Sequence, residues 1–357
     1  MKKHAIIPIF IPHKGCPNDC IFCNQRKITA RSEAVTASDI HKTVSDYMST
    51  LSSMNMETIE LSFFGGSFTG IPMEEQNEFL SIAKDYKDRG IIDKIHLSTR
   101  PDYINKDILD NLKYYGTDVI ELGVQSFAEP VLKASNRGHS VSCIYESCSL
   151  IKEYGFTLGI QLMIGLPEDT LEYDLYSAGE AAKIGPEIAR LYPTVVIKDT
   201  ELYQLMEQGL YTPMSEQDAV ERTASMYEML TDAGINIVRV GLKSSDIMSD
   251  NRNTANTFHP AFRQLVEGYI ARRRLEEQIN ILLGQAGTEC AEIALISNEK
   301  CRNSLFGHKG ENKKYFKDNY SKVNFKYLTD CQAGINLGDG EYSAVCLSNV
   351  KLKGDLK

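Results

Sequence analysis

A chain of 357 residues has room for one large barrel with an appendage, or for two ordinary domains. Its 42% hydrophobic and 24% charged residues are typical of a water-soluble globular protein. No apolar stretch reaches the length of a membrane span, and Met1-Lys2-Lys3 leads into a strand-like run rather than a cleavable signal. The nine cysteines therefore read as reduced thiols in a cytoplasmic protein. A net charge of −9 argues against a surface that coats nucleic acid throughout. Residues 300–357, however, carry eleven basic against six acidic side chains, a net of +5, which leaves −14 for residues 1–299. A basic end on an acidic body suits a polyanion, although charge runs are more often a solvated face.

Short β-rich runs then alternate with amphipathic helices. His4–Ile11 is apolar and β-branched, and Pro8 within it marks an edge or irregular strand. Thr36-Ala37-Ser38-Asp39 supplies N-cap residues for a helix to about Leu51. Glu57–Phe64 is the second strand, and Pro72-Met73-Glu74-Glu75 opens a helix with acids on the positive end of its dipole. Ile91–Leu97, Asp118–Val124 and Phe156–Ile164 are further strands, each preceded by a helix that ends near Gly90, Gly116 or Gly155. Thr157–Gly165 is nearly all apolar, as expected of a strand covered on both faces. Ile188–Tyr192 and Ile235–Val240 complete the series, with a helix from about Ser215 to Asp232 between them. This alternation implies parallel pairing through right-handed crossovers. Seven units suit an α/β partial (β/α) barrel better than a six-stranded doubly wound sheet, and functional groups should gather at the carboxyl ends of the strands.

Near Ser244 the pattern breaks. Ser244–Asn256 is polar, and Pro260–Leu283 reads as one helix carrying Arg272-Arg273-Arg274. Glu289–Ile296, Val323–Tyr327 and Tyr342–Leu347 read as strands around a polar helix, and Gly334–Gly340 as a hairpin turn. The expected organisation is a barrel over residues 1–245 and a helix plus small α+β appendage over residues 246–357, with the boundary at 244–260.

The densest chemistry lies in Gly15-Cys16-Pro17-Asn18-Asp19-Cys20-Ile21-Phe22-Cys23, three thiols at C-x3-C-x2-C on a loop after the first strand. Thiolate is the soft ligand that iron–sulfur clusters take. A four-iron cube takes four ligands, so three cysteines leave one iron open to a small molecule. A partial zinc site with His13, a redox pair with a spare thiol and plain buried thiols are the alternatives. The other cysteines add no second cluster: Cys143 and Cys148 fall on different faces of a predicted helix, and Cys290, Cys301, Cys331 and Cys346 have no metal spacing, so they read as structural thiols. Two further segments end predicted strands, Phe63-Phe64-Gly65-Gly66-Ser67-Phe68-Thr69-Gly70 and Leu97-Ser98-Thr99-Arg100-Pro101-Asp102-Tyr103. Paired glycines there let backbone approach a ligand with no Cβ in the way.

The thiol triplet resembles the signature of the radical S-adenosylmethionine (radical SAM) superfamily. Thr-Arg-Pro-Asp-Tyr-Ile, Leu191-Tyr192-Pro193-Thr194 with Thr200-Glu201-Leu202-Tyr203, and Gly165-Leu166-Pro167 narrow the resemblance to the branch of the Elongator catalytic subunit, over roughly residues 5–245. The resemblance implies a 4Fe-4S cluster on Cys16, Cys20 and Cys23, with S-adenosylmethionine (SAM) on the open iron. It further implies reductive cleavage to a 5′-deoxyadenosyl radical that takes hydrogen from a substrate, a flavodoxin- or ferredoxin-type electron donor, an oxygen-poor setting and tRNA as a possible substrate. The SAM contacts it implies are Gly65, Gly66, Ser67, Thr69, Ser98 and Arg100. Likeness to the oxygen-independent coproporphyrinogen oxidases adds Gln125, Arg137 for the methionyl carboxylate, Gln161 near the ribose or adenosine, and the backbone of Phe22 for adenine.

Several positions depart from these patterns. Ser67 stands where an acid commonly meets the methionyl ammonium, and Ser98 stands where a Glu commonly precedes Thr-Arg-Pro. The cysteine spacing is more compact than the Elongator subunit's, and the last hundred residues show no Gly-rich pyrophosphate loop of an acetyl-CoA-binding domain, so carboxymethylation chemistry does not transfer. No catalytic residue is assigned. The alternative function is a non-catalytic iron–sulfur, SAM- or haem-binding carrier, with His13, His96 and His139 as haem-ligand candidates.

Overall fold

The computed structural model describes residues 4–11, 16, 20–24, 35–242, 259–284, 292–337 and 342–347. The chain divides into two compact units, Met1–Pro260 and Ala261–Lys357. Most of the boundary expected at 244–260 lies outside the described residues, as do His13, Gly15 and Pro17 to Asp19.

The first unit is a seven-stranded parallel sheet in sequential order: β1 (His4–Ile11), β2 (Thr58–Gly65), β3 (Lys94–Thr99), β4 (Val119–Gln125), β5 (Thr157–Ile164), β6 (Ile188–Pro193) and β7 (Asn236–Val240). The partial barrel read from the alternation is therefore the fold, seven parallel strands curled into half a barrel. Pro8 is tolerated because β1 is an edge strand bonded only to β2. The crossovers hold helices α1 (Ala37–Leu51), α2 (Met73–Asp88), α3 (Lys106–Tyr114), α4 (Glu129–Ala134), α5 (Val141–Glu153), α6 (Leu171–Ile184), α7 (Glu201–Glu207) and α8 (Glu216–Asp232). Their starts follow local chemistry. Thr36 and Asp39 form a capping box on α1, and Asn105, Ser140, Thr170, Thr200 and Ser215 each accept a backbone N–H of the helix they precede.

Strand alternation gives the sheet two unlike faces. Residues such as Ile9, Leu61, Phe63, Leu97, Leu122 and Ile160 are buried on the helix side, where the Phe63 ring stacks on Phe79 of α2. Their neighbours point to the concave side: Phe64 meets His96 edge-on at 5.3 Å, and the Arg190 guanidinium lies 5.0 Å over the Phe64 ring. That concave wall is rich in polar groups, whereas the convex one is almost wholly aliphatic and aromatic.

The second unit contains the long helix α9 (Phe262–Gly284) and a mixed sheet of β8 (Glu292–Ser297), β9 (Asn324–Thr329) and β10 (Tyr342–Cys346), with α10 (Arg302–Phe306), α11 (Glu311–Asn319) and α12 (Asp330–Ala333) between strands. One face of β8 packs on Leu275 and Ile279 of α9 and on Phe316 of α11. Two sequence expectations fail in this unit. The Gly334–Gly340 segment, of which residues 338–340 lie outside the described residues, is not a hairpin turn, because the strands it joins do not pair with each other: β9 lies parallel to β8 on one side and β10 antiparallel to it on the other. Cys346 is not a reduced thiol but disulfide-bonded. Strand pairing places Cys346 beside Ile293, near the start of β8, and linear spacing carries no sign of that proximity.

Candidate functional site

The carboxyl ends of β1 to β5 meet around the cysteine segment. At the first of them, Gly66 donates its N–H to the carbonyl of Ile11, the last residue before the cysteine loop, at 2.7 Å. Gly65 has φ +109°, and a Cβ on it would stand 2.7 Å from the Ile11 oxygen. Only glycine permits that approach, so the Gly65-Gly66 pair clamps the root of the loop. Ser67 follows, and its hydroxyl lies 3.3 Å from the Cys16 sulfur. Cys20 to Asn24 are held from two further directions. Ile21 donates its N–H to the Ser135 carbonyl at 3.3 Å, and Leu202 donates to the Ile21 carbonyl at 2.8 Å. Thr200, the cap of α7, thus belongs to the element that docks the loop, while Phe22 packs against Leu202 and its neighbours on one side and Leu166 on the other.

Two buried arginines face this segment. Arg137 donates from Nη1 to the Cys20 sulfur at 3.2 Å and from Nη2 to the Gly123 carbonyl at 2.5 Å. Arg100 is 3% exposed and forks onto both Asp102 oxygens at 2.9 Å, and it also donates to the Arg137 carbonyl at 2.5 Å. Burial works against its charge, but Asp102, Cys20 and Cys16 outweigh that and hold it above its ordinary value. His139, 4.0 Å from Asp102, is pushed down to about 4 by burial and by Arg137 and Arg100, so it is neutral at pH 7. Gln125 sits at the bulged end of β4 with φ +71°.

The sequence-derived contacts divide into two groups. Ser98 Oγ, Arg100 Nη1 and Gln125 Oε1 are buried polar atoms with no hydrogen-bond partner among the described residues. They stand at the ends of adjacent strands β3 and β4, where a polar ligand would satisfy them. Other candidates are already engaged. The Thr69 hydroxyl lies 2.6 Å from that of Thr99 and donates to the Tyr103 carbonyl at 2.9 Å. Gln161 donates to Glu121, and Arg137 is directed at a sulfur rather than outward.

The donor set suits an iron–sulfur cluster chemically: Cys16, Cys20 and Cys23 are outside any disulfide, and guanidinium groups near Cys16 and Cys20 offset the charge of thiolate ligands. Among the described residues no three His, Cys, Asp or Glu side chains converge as a metal site, so the fit rests on donor type and surroundings. The candidate haem ligands His96 and His139 have side chains 2% and 0% exposed.

Below the mouth lies a group that sequence reasoning missed. His4 contacts Glu60 at 2.6 Å, Glu60 contacts His96 at 3.1 Å, His96 contacts Glu121 at 3.4 Å, and Arg190 donates to Glu121 at 2.7 Å. Burial alone would push Glu121 up, but Arg190 and His96 overcome it and hold the carboxyl down to about 2. The same balance lowers Glu60 and raises His96. A signal existed: Ile59-Glu60-Leu61 and Ile120-Glu121-Leu122 each place an acid inside an apolar strand, where an unpaired charge is prohibitive.

The chain is similar to human Elongator complex protein 3, at 32% identity over 49% of this chain and 36% of that protein. It is likewise similar to the tRNA uridine(34) acetyltransferase of Methanocaldococcus infernus, at 27% identity over 61% of this chain and 48% of the relative. The chain thus spans between about a third and a half of the length of these relatives. The archaeal M. infernus Elp3 structure superposes with a TM-score of 0.63 at 21% identity, covering 77% of this chain and 64% of that one, a likeness of fold. Among the described residues no helix is long and apolar enough to cross a membrane. Residues 10–176 match the Radical SAM superfamily and residues 186–272 the Radical_SAM C-terminal domain, and the chain belongs to that superfamily of enzymes, which use a 4Fe-4S cluster and SAM.

Proposed function

We propose that this protein reductively cleaves SAM and acts on tRNA. The observation that carries the first half is the meeting of the cysteine segment with unsatisfied Ser98, Arg100 and Gln125 at the strand ends. When bound at Cys16, Cys20 and Cys23, the cluster and SAM would supply a hydrogen-abstracting 5′-deoxyadenosyl radical. The chain's own residues hold the loop and prepare its surroundings. Gly65-Gly66 fixes the loop root, Leu202 and Ser135 anchor Ile21, and Arg100 offers a free N–H to an anionic or carbonyl group. Neutral His139 adds no charge there, and the half-buried Phe22, packed against the clusters that hold Leu166 and Leu202, shields one flank from water. One electron per turnover must come from outside the chain, which calls for a flavodoxin- or ferredoxin-type donor.

The tRNA half rests on two supports. Relatives include tRNA uridine(34) acetyltransferases, and the second unit carries cations on aromatic faces. Lys313 Nζ lies 4.2 Å over Phe306 and 5.1 Å over Tyr327, and Arg272 lies 4.6 Å over Tyr315. Cationic and aromatic groups interleaved in this way suit nucleic acid.

The test is anaerobic reconstitution with iron and sulfide, then dithionite and SAM, with the Cys20→Ser variant in parallel. Wild type should release 5′-deoxyadenosine and the variant none; no product from wild type, where a control radical SAM enzyme gives it, would overturn the reading. Nucleosides from total tRNA of a deletion strain should lack a modification present in the parent. Identical nucleoside profiles would remove tRNA as the substrate.

A further inference from the structure

The Thr99-Arg100-Pro101-Asp102 segment and Arg137 stand far from Cys20 in sequence yet converge on it, and recognition of SAM leaves that convergence unexplained. Arg137 reaches the Cys20 sulfur across 117 positions of chain. Three contacts fix where its guanidinium can go. Its Nη2 is tied to the Gly123 carbonyl, its own carbonyl is held by Arg100, and Arg100 is locked by the two-oxygen fork of Asp102. The backbone just before Arg137 is unusual as well: Asn136 adopts φ +52°, and the Ser135 carbonyl accepts from Ile21, the residue after Cys20. Both ends of this short turn therefore grip the cysteine segment. Arg137 and Arg100 are 6% and 3% exposed, so water does little to screen their charge.

We propose that Arg137 tunes the iron–sulfur cluster, donating an N–H to the Cys20 thiolate sulfur to raise the reduction potential, and that Asp102 and Arg100 position it. This rests on the cluster reading above. The physical reason is that reduction adds one electron to a centre already carrying thiolate charge, with no bond broken. A hydrogen bond and a positive charge at a ligand sulfur stabilise the reduced form more than the oxidised one. Arginine is suited because its planar fork can hold a carbonyl and a sulfur at once while staying charged. Among the described residues this gives the Thr-Arg-Pro-Asp segment a task distinct from ligand contact: Arg100 is the strut between Asp102 and the Arg137 backbone.

The experiment is a potentiometric titration of the reconstituted cluster, followed by electron paramagnetic resonance without SAM and with dithionite and mediators. Wild type, Arg137→Met, Arg137→Lys and Asp102→Asn would be compared at equal iron and sulfide content. Arg137→Met should lower the midpoint, so that the reduced-to-oxidised ratio at a fixed potential falls about tenfold, or about 59 mV for one electron. Arg137→Lys keeps the charge and should fall less, and Asp102→Asn should shift in the same direction by a smaller amount. Should Arg137→Met fail to take up iron, Arg137→Lys carries the test. An unchanged midpoint in loaded variants would overturn the proposal, including the case where only SAM affinity falls, which would make Arg137 a ligand contact instead. A wild-type protein that takes up no four-iron cluster would overturn the cluster reading itself, a result distinguishable from the first.

Discussion

The concave wall of the half-barrel holds two polar clusters that differ in one respect. The lower one, His4–Glu60–His96–Glu121–Arg190, is closed in charge: each charge faces an opposite one and Glu121 is wholly buried, while His96 Nε2, 3.4 Å from Glu121, is ion-paired without a hydrogen bond. The upper one, at the strand ends, is open, with buried Ser98, Arg100 and Gln125 atoms that no described residue satisfies. A charge-paired network spends most of its polar capacity on the fold, whereas atoms with no facing charge keep that capacity for something that arrives. The two share β3 and β4, and on β3 His96 and Ser98 stand two residues apart.

The largest effect should come from opening the closed cluster. Arg190→Met strips Glu121 of its nearest cation, and the loss of stability should be about 3–5 kcal/mol in urea unfolding. A loss under about 1 kcal/mol would mean that the lower cluster is not a structural bolt. Iron uptake by the folded variant should be retained.

The pH dependence is intermediate in size and has a definite sign on each side. Glu121 is held below its ordinary 4.5, so its contribution is present above that pH and fades as pH drops toward about 2. His96 is raised above its ordinary 6.5, so its contribution is complete below 6.5 and is lost as pH rises through its folded-state value. Thermal midpoints should therefore decline on both sides of a plateau between those pH values. In Arg190→Met the acid-side decline should be smaller and end at higher pH, because with one of the groups lowering Glu121 gone its folded-state value moves back toward 4.5, while the onset, set by the unfolded chain, stays where it is. Superimposable acid limbs for wild type and variant would contradict the assignment.

The smallest stability effect should be Ser98→Ala, which removes a hydroxyl that has no partner to lose. Unfolding free energy should change by less than about 0.5 kcal/mol, or rise slightly, because a buried unsatisfied group is being deleted. SAM binding measured by calorimetry on the reconstituted protein should weaken by contrast. A clear stability loss with unchanged SAM affinity would place Ser98 in the closed cluster instead.

Local chemistry made the architecture legible. The capping residues, the glycines after helices and the β-branched runs announce the elements one at a time, and sequential β/α units leave little choice of topology. The cysteine triplet was equally plain, since its signal is spacing over eight residues. The closed cluster escaped because its members come from five strands and each reads alone as a misplaced acid or an ordinary histidine. Cys346 and the Gly334–Gly340 connection were misread for the same reason: pairing order in the mixed sheet is not written in either segment.

By itself the sequence determined the alternating strands and helices and the thiol loop, because each depends on residues within one turn or one loop of each other, whereas the grip of Gly65-Gly66 on Ile11 needed the pairing of β1 with β2. Only the tertiary structure decided that Arg137 points at Cys20, that Thr69 and Gln161 are already bonded, and that Ser98, Arg100 and Gln125 are not. The reason is physical. Propensity and spacing act over a few residues, whereas satisfaction of a buried polar atom depends on whichever distant strand the fold lays beside it.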